Sequence, residues 1–190
     1  MCKRALLLLS FAMLSACASR LPAPAHEIFD EQSGLTLEVV SMPFIFARER
    51  GDVAAHARDY ATLVAAEIDR SGEYSDFLLL YRWSTVDRRM SAAPPTSAGA
   101  LRIVADGRAI DLQPLPRVPI GLTQGHALYV PPHGDAVPRA YAVDAALLRY
   151  IAASRNLTLR MPQEELSTPF TLWQDGREAL AKFLQNLNGL

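Results

Sequence analysis

Apolar and polar residues alternate at Leu35, Leu37 and Val39, and the alternation resumes beyond Pro43 at Phe44 and Phe46. That is the period of a half-buried strand, bent or bulged at its middle. Residues 48–58 are charged and alanine-containing and read as a connection. The clearest hairpin lies within residues 60–86, where two strand-like runs flank Arg70-Ser71-Gly72-Glu73. A two-residue turn at Ser71-Gly72 pairs Arg70 with Glu73. It places Val64, Ala66, Ile68, Phe77, Leu79 and Tyr81 on one apolar face. The same register sets Glu67 opposite Asp76. This like-charge pair costs stability unless a cation, a metal or a raised pKa relieves it. A one-residue change in loop length would remove the conflict.

A second hairpin is signalled by Asp106-Gly107, between the runs Leu101-Arg102-Ile103-Val104 and Ala109-Ile110-Asp111-Leu112. Residues 91–99 are small, polar and proline-containing and read as a loop, and six prolines from Pro114 to Pro138 break the middle of the chain into short pieces. Residues 126–130 and 140–143 each suit a short strand at a sheet edge. The last third changes period. Asp144 caps a predicted helix running to about Ser154, with Leu147, Leu148 and Ile151 inward and Asn156 suited to a left-handed exit. Leu157, Leu159 and Met161 alternate as a strand, and Phe170 and Leu172 begin another. Asp175-Gly176-Arg177-Glu178 resembles a capping box opening a final helix, with Leu180, Phe183, Leu184 and Leu187 inward. Strands, helix, strands, helix in this order predict an α+β fold: an antiparallel, β-rich, sandwich-like domain with two short helices in the C-terminal third.

The first sixteen residues follow different rules. Lys3 and Arg4 precede an apolar run over residues 5–14 that is too short for a permanent transmembrane helix, and the run leads into Leu14-Ser15-Ala16-Cys17. This segment resembles the signal peptide and lipobox of bacterial lipoproteins. The resemblance implies cleavage after Ala16, with palmitate-type acyl chains on the Cys17 thiol and the new amino terminus. Ala18, where aspartate would favour inner-membrane retention, implies the periplasmic face of the outer membrane. Each buried acyl methylene contributes about 0.8 kcal/mol, so two or three chains make a lasting anchor. Beyond the lipobox, the layout is similar to that of small envelope lipoproteins of proteobacteria, which implies no activity. The expected organisation is a signal peptide over residues 1–16, a lipidated, proline-stiffened tether over residues 17–34, and one globular domain over residues 35–190.

Composition agrees with that address. Cys2 leaves with the signal, so the mature chain has no disulfide in an oxidising compartment and its core must hold itself together. Without Lys3 and Arg4, the 19 basic residues fall to 17 against 20 acidic ones, which argues against a nucleic-acid partner. No cofactor is called for.

Candidate chemistry is sparse. His126 and His133 bracket Ala127-Leu128-Tyr129-Val130-Pro131-Pro132, with Asp135 two residues later. A hairpin return would gather three weak candidate metal ligands, but the spacing matches no zinc signature and suits solvated loop residues. Arg82, Asp87, Arg88 and Arg89 surround Trp83 at the end of the long apolar strand. They make a concentrated place for an anionic ligand or partner, set against the ordinary reading of a solvated strand end. No nucleophile elbow, P-loop or His-Glu-x-x-His is present, and no catalytic residue is assigned. The expectation is a binding module of the cell envelope, recognising an envelope protein or a small ligand. A hydrolase of cell-wall or lipid material is the alternative.

Overall fold

The computed structural model describes residues 25–31, 33–87, 99–123, 128–132, 136–162 and 168–187. In chain order the strands are β1 (Ala25–Asp30), β2 (Leu35–Val40), β3 (Phe44–Glu49), β4 (Arg58–Arg70), β5 (Glu73–Ser84), β6 (Leu101–Ala105), β7 (Arg108–Leu112), β8 (Arg139–Val143), β9 (Leu157–Arg160) and β10 (Phe170–Gln174). The helices are α1 (Ala145–Ala153) and α2 (Arg177–Leu187). All strand pairs are antiparallel.

Both predicted hairpins form at the predicted turns. Ser71 and Gly72 have φ of 54° and 90°, and Asp106 and Gly107 have φ of 47° and 84°. Paired positive φ values match the twist of the flanking strands, and only glycine or a residue that tolerates the left-handed region adopts them cheaply. Asp69 Oδ1 accepts the Gly72 N–H at 2.7 Å, which secures the first turn. Arg70 pairs with Glu73, Val64 with Leu79, and Glu67 with Asp76. The like-charge register is therefore the one the chain adopts.

β4 is the hub of the sheet. One of its edges pairs with β3 through Arg58–Leu63 and with β2 further along, while its other edge pairs with β5 along nearly its full length. β2 and β3 are successive segments along that edge, broken at Ser41-Met42-Pro43 as the interrupted alternation predicts. From β3 the sheet continues through β10, β9, β6 and β7, and from β5 to β8. The inner residues of both arms, among them Phe46, Leu63, Leu78, Leu101, Ile103, Leu159 and Phe170, are at most 3% exposed and belong to one core cluster. This is what makes the domain sandwich-like. Each fully buried Leu or Phe contributes about 1.5–3 kcal/mol, and the described residues include no cysteine, so this cluster is the main source of their stability.

The central hairpin is buried on both faces, not only on the predicted one. Leu63, Ala65, Leu78 and Leu80 are as buried as Val64, Ala66, Phe77 and Leu79. One face is covered by the proline-rich middle of the chain: Leu115, Val118, Leu122, Leu128 and Tyr129 join the core cluster, and a Cβ on Gly121 would stand 3.0 Å from Leu35. The opposite face carries α2, whose Leu180, Phe183 and Leu184 are buried.

Two expectations change. Residues 25–30, expected in the tether, form β1, paired residue for residue with β2 from Ala25↔Val40 to Asp30↔Leu35. The backbone ladder and half-buried Ile28 hold this strand, so a weak side-chain pattern sufficed. Helix α1 is capped by Asp144 as predicted but ends at extended Ser154, without a left-handed residue at Asn156. The Arg155 and Asn156 N–H groups donate to the Asp106 carboxylate at 3.0 and 2.8 Å, so a side chain of the β6–β7 turn satisfies the chain leaving the helix.

Candidate functional site

The described part of the predicted Arg82–Arg89 segment is divided by strand alternation. Trp83 faces one side of the sheet, where it aligns with Tyr60 on β4 and Ala47 on β3 and forms a small cluster apart from the main core. Its ring lies on Tyr60 at 3.9 Å between centroids and 7° between planes, and its Nε1 donates to Thr62 Oγ1 at 3.3 Å. Arg82 faces the other side, near Tyr141. The Asp87 N–H donates to Ser84 Oγ at 3.2 Å, closing the strand end. Arg88 and Arg89 lie outside the described residues, as do His126, His133, Asp135 and Cys17.

The aromatic pair continues to the surface through residues the sequence reading did not single out. Trp173 of β10 meets Tyr60 edge-on, 6.2 Å away at 85°, and is 58% exposed. Arg58 of β4 places its guanidinium 4.8 Å over the Trp173 ring and donates to Glu49 Oε1 at 3.4 Å. Trp173 stands at a β-bulge: Leu172 pairs with Phe46 and Gln174 with Ile45, so Trp173 is the extra residue. A bulge interrupts the ladder, bends the strand and re-aims a side chain, here a large aromatic one turned to solvent. Arg58, Trp173, Tyr60 and Trp83 thus form a cation-and-aromatic series running from surface to interior. Such contacts contribute about 0.5–1.5 kcal/mol each beyond area burial, and they hold the exposed indole in one orientation.

One residue along and on the opposite face, the same three strands carry a buried polar row. Arg48, Asp59 and Ser84 align across β3, β4 and β5. The Asp59 carboxylate is fully buried and accepts from Arg48 Nη2 at 2.9 Å, Arg50 Nη1 at 3.0 Å and Ser84 Oγ at 2.8 Å. Arg48, 4% exposed, also lies 4.2 Å over the Phe170 ring. This row fixes the backbone that presents Tyr60 and Trp83.

The other end of the β4–β5 hairpin holds a run of carboxylates. Glu27, Glu38, Glu67 and Asp76 face one another in direct register across β1, β2, β4 and β5. Burial, then the charges of Asp76, Glu38 and Asp69, pushes Glu67 up to about 7. Burial also raises Asp76; Asp144 adds to the rise and Arg149 opposes it. Glu38 is raised by burial and by Glu27 and lowered by a hydrogen bond from Asn186 of α2. Among the described residues no group of three His, Cys, Asp or Glu side chains is placed to hold a metal ion.

A shallow groove of about 290 Å³ between α1 and α2 is lined by Arg149, Ala152, Ala153, Ala181, Leu184 and Gln185. Its one ionisable side chain, a guanidinium, supplies no general base. No helix among the described residues is long and apolar enough to cross a membrane. Comparison of the chain with family models, with curated proteins and with solved structures finds no match.

Proposed function

We propose that this protein is a lipid-anchored module of the bacterial envelope that binds another envelope protein through the surface around Trp173 and Arg58. The lipobox-like Leu14-Ser15-Ala16-Cys17 followed by Ala18 supports anchoring through Cys17 at the periplasmic face of the outer membrane. The observation that carries the binding role is the 58% exposure of Trp173 on a rigid support. Leaving an indole in water forgoes its burial energy, whereas tryptophan, tyrosine and arginine dominate interface hot spots. Arg58 and the Tyr60–Trp83 stack hold the ring in place before any partner arrives, which lowers the ordering cost of association. The groove between α1 and α2 has Arg149 as its one ionisable side chain, whereas the Trp173 surface is built for contact, so a binding role fits this geometry better than hydrolysis.

The test is partner capture from crosslinked envelopes with the lipidated protein at matched salt. Trp173→Ala and Arg58→Ala should each reduce capture at least tenfold, equivalent to about 1.4 kcal/mol or more, while the domain still unfolds cooperatively with a Tm lowered only by the few degrees that these surface contacts contribute. Undiminished capture by the double variant would refute this surface as the binding site.

A further inference from the structure

We propose that β1 is a self-association edge: two copies of this protein pair their β1 strands antiparallel about Ile28 and join their sheets into one. This surface is separate from the one around Trp173. Among the described residues the sheet ends at β1, β7 and β8. β8 is partly covered, since the Ala140 C=O accepts the Leu115 N–H at 2.8 Å. β1 pairs with β2 over all of its residues and, among the described residues, with nothing on its other side. The Asp30 C=O accepts the Gly34 N–H at 2.8 Å, which turns the Asp30 backbone toward β2. Alternation along an antiparallel ladder then turns His26 and Ile28 the same way and leaves the N–H and C=O of Glu27 and Phe29 pointing outward. Such an edge is a template for another strand, and lysine, proline or a bulge is its common guard. β1 has none of the three: its register with β2 is unbroken, and Ala-His-Glu-Ile-Phe-Asp holds no lysine or proline. It presents half-buried Ile28 and, at 61% exposure, Phe29.

The occupant is a second copy because the strand is complementary to itself. A two-fold antiparallel pairing is isologous, and since opposed residues share a face, its axis passes through one residue of the strand. Centred on Glu27 or on Asp30, the pairing opposes a carboxylate with its own copy; centred on Phe29, it opposes Glu27 with Glu31. Centred on His26, it reaches no further along β1 than Glu27. Centred on Ile28, it sets His26 against Asp30 of the second copy, twice by symmetry, with Ile28 against itself and Glu27 against Phe29. No like charges meet. The backbone agrees: the outward groups of Glu27 and Phe29 exchange hydrogen bonds, while Ile28 and the two His26–Asp30 pairs take the positions between, where side chains stand closest. The His26 imidazole N–H donates to the Asp30 carboxylate, which accepts Ser33 Oγ at 2.5 Å and has lone pairs for another donor. Ile28 lies opposite Leu37, and Leu37 opposite Ile68, so the joined sheets carry one unbroken apolar row across the two-fold axis. β7 offers no such match: centred on Ile110, it opposes Arg108 with Leu112 and Ala109 with Asp111.

One strand edge is smaller than the roughly 1,200–2,000 Å² of a stable interface, so the association is concentration-dependent, with a Kd in the range of about 1–100 μM. Trp173 and Arg58 lie at the start of β4, whereas β1 joins through β2 to its end, so pairing leaves both Trp173 surfaces open and makes the dimer bivalent. Sedimentation of the purified full chain in non-ionic detergent, over about 1–200 μM, should show a monomer–dimer equilibrium. Phe29→Pro removes an outward N–H and spares the ladder to β2, because an edge strand tolerates proline on its open side; it should weaken dimerisation at least tenfold with the circular dichroism unchanged. His26→Asp opposes two carboxylates and should weaken it equally, and adding Asp30→His reverses the pair and should recover the dimer. Register is read by copper-catalysed disulfide formation, in which Ile28→Cys should cross-link to its own copy at least tenfold faster than Glu27→Cys and above the wild-type level. A chain that stays monomeric over this range, a dimer indifferent to Phe29→Pro, or Glu27→Cys as the faster cross-linker would overturn the proposal. A Phe29→Cys chain that cross-links to a different envelope protein, with no self-cross-link at Ile28→Cys, would assign the edge to a foreign strand and overturn it too. If Phe29→Pro does not fold, the cysteine pair decides.

Discussion

Removing the Asp59 carboxylate should be among the most destabilising single changes in this domain. In Asp59→Ala, Arg48 keeps its charge at 4% exposure and loses the carboxylate that accepts from its Nη2 at 2.9 Å, with little access to water in exchange. Arg50 suffers less, since its side chain is 18% exposed and retains Asp52 at 2.9 Å. Ser84 loses one neutral bond, which contributes about 1 kcal/mol. Breaking a buried ion pair from one side costs about 3–5 kcal/mol, and for a domain of this length each kcal/mol lowers Tm by about 2–4 °C. The expected fall is therefore about 6–20 °C, with a matching drop in urea midpoint at constant slope. A combined Arg48→Met and Asp59→Leu change removes both charges and should recover most of the loss. Calorimetry and urea titration of wild type, Arg48→Met, Asp59→Leu and the double variant close the cycle. An Asp59→Ala loss below about 1 kcal/mol, or a double variant whose loss equals the sum of the singles, would refute the reasoning that this row is a desolvated pair.

Two further outcomes are expected. A Cβ on Gly176 would stand 2.8 Å from the Met42 carbonyl oxygen and 2.9 Å from Phe44 N, so Gly176→Ala should cost about 1–3 kcal/mol by forcing the start of α2 off the β2–β3 bend, measurable by thermal unfolding. Under the proposed anchoring, Cys17→Ser should abolish incorporation of a labelled fatty acid, because the thiol is the acyl acceptor; label persisting in the variant would disprove attachment at this residue.

Much of the local structure was legible because its causes are local. Ser71-Gly72 and Asp106-Gly107 stand where the backbone needs positive φ, and alternation on either side then determines the facing pairs. Asp144 begins α1 because its carboxylate accepts the Leu147 N–H at 2.6 Å, an interaction spanning three residues. Strand β1 was not legible: half of its six residues are exposed and none is fully buried, and it is held by a ladder to β2 that no side-chain pattern announces.

The candidate sites divide in the same way. Sequence alone determined that Glu67 would oppose Asp76 if the turn were two residues long. Only the tertiary structure decided that the conflict would stand, because apolar residues bury both faces of the hairpin and a one-residue slip would break every pair to keep two carboxyls apart. Trp83 was visible from the start, whereas its series with Tyr60, Trp173 and Arg58 was not. Trp173 arrives on a strand more than a hundred residues away in sequence from Tyr60, and a bulge in the β10–β3 pairing sets where it stands. Turn chemistry and capping act over a few neighbouring residues and so are written in the local sequence. Strand order, the depth of burial and the position of a bulge arise from the whole chain closing on one core, and they determine which carboxyls lose water and which indole keeps it.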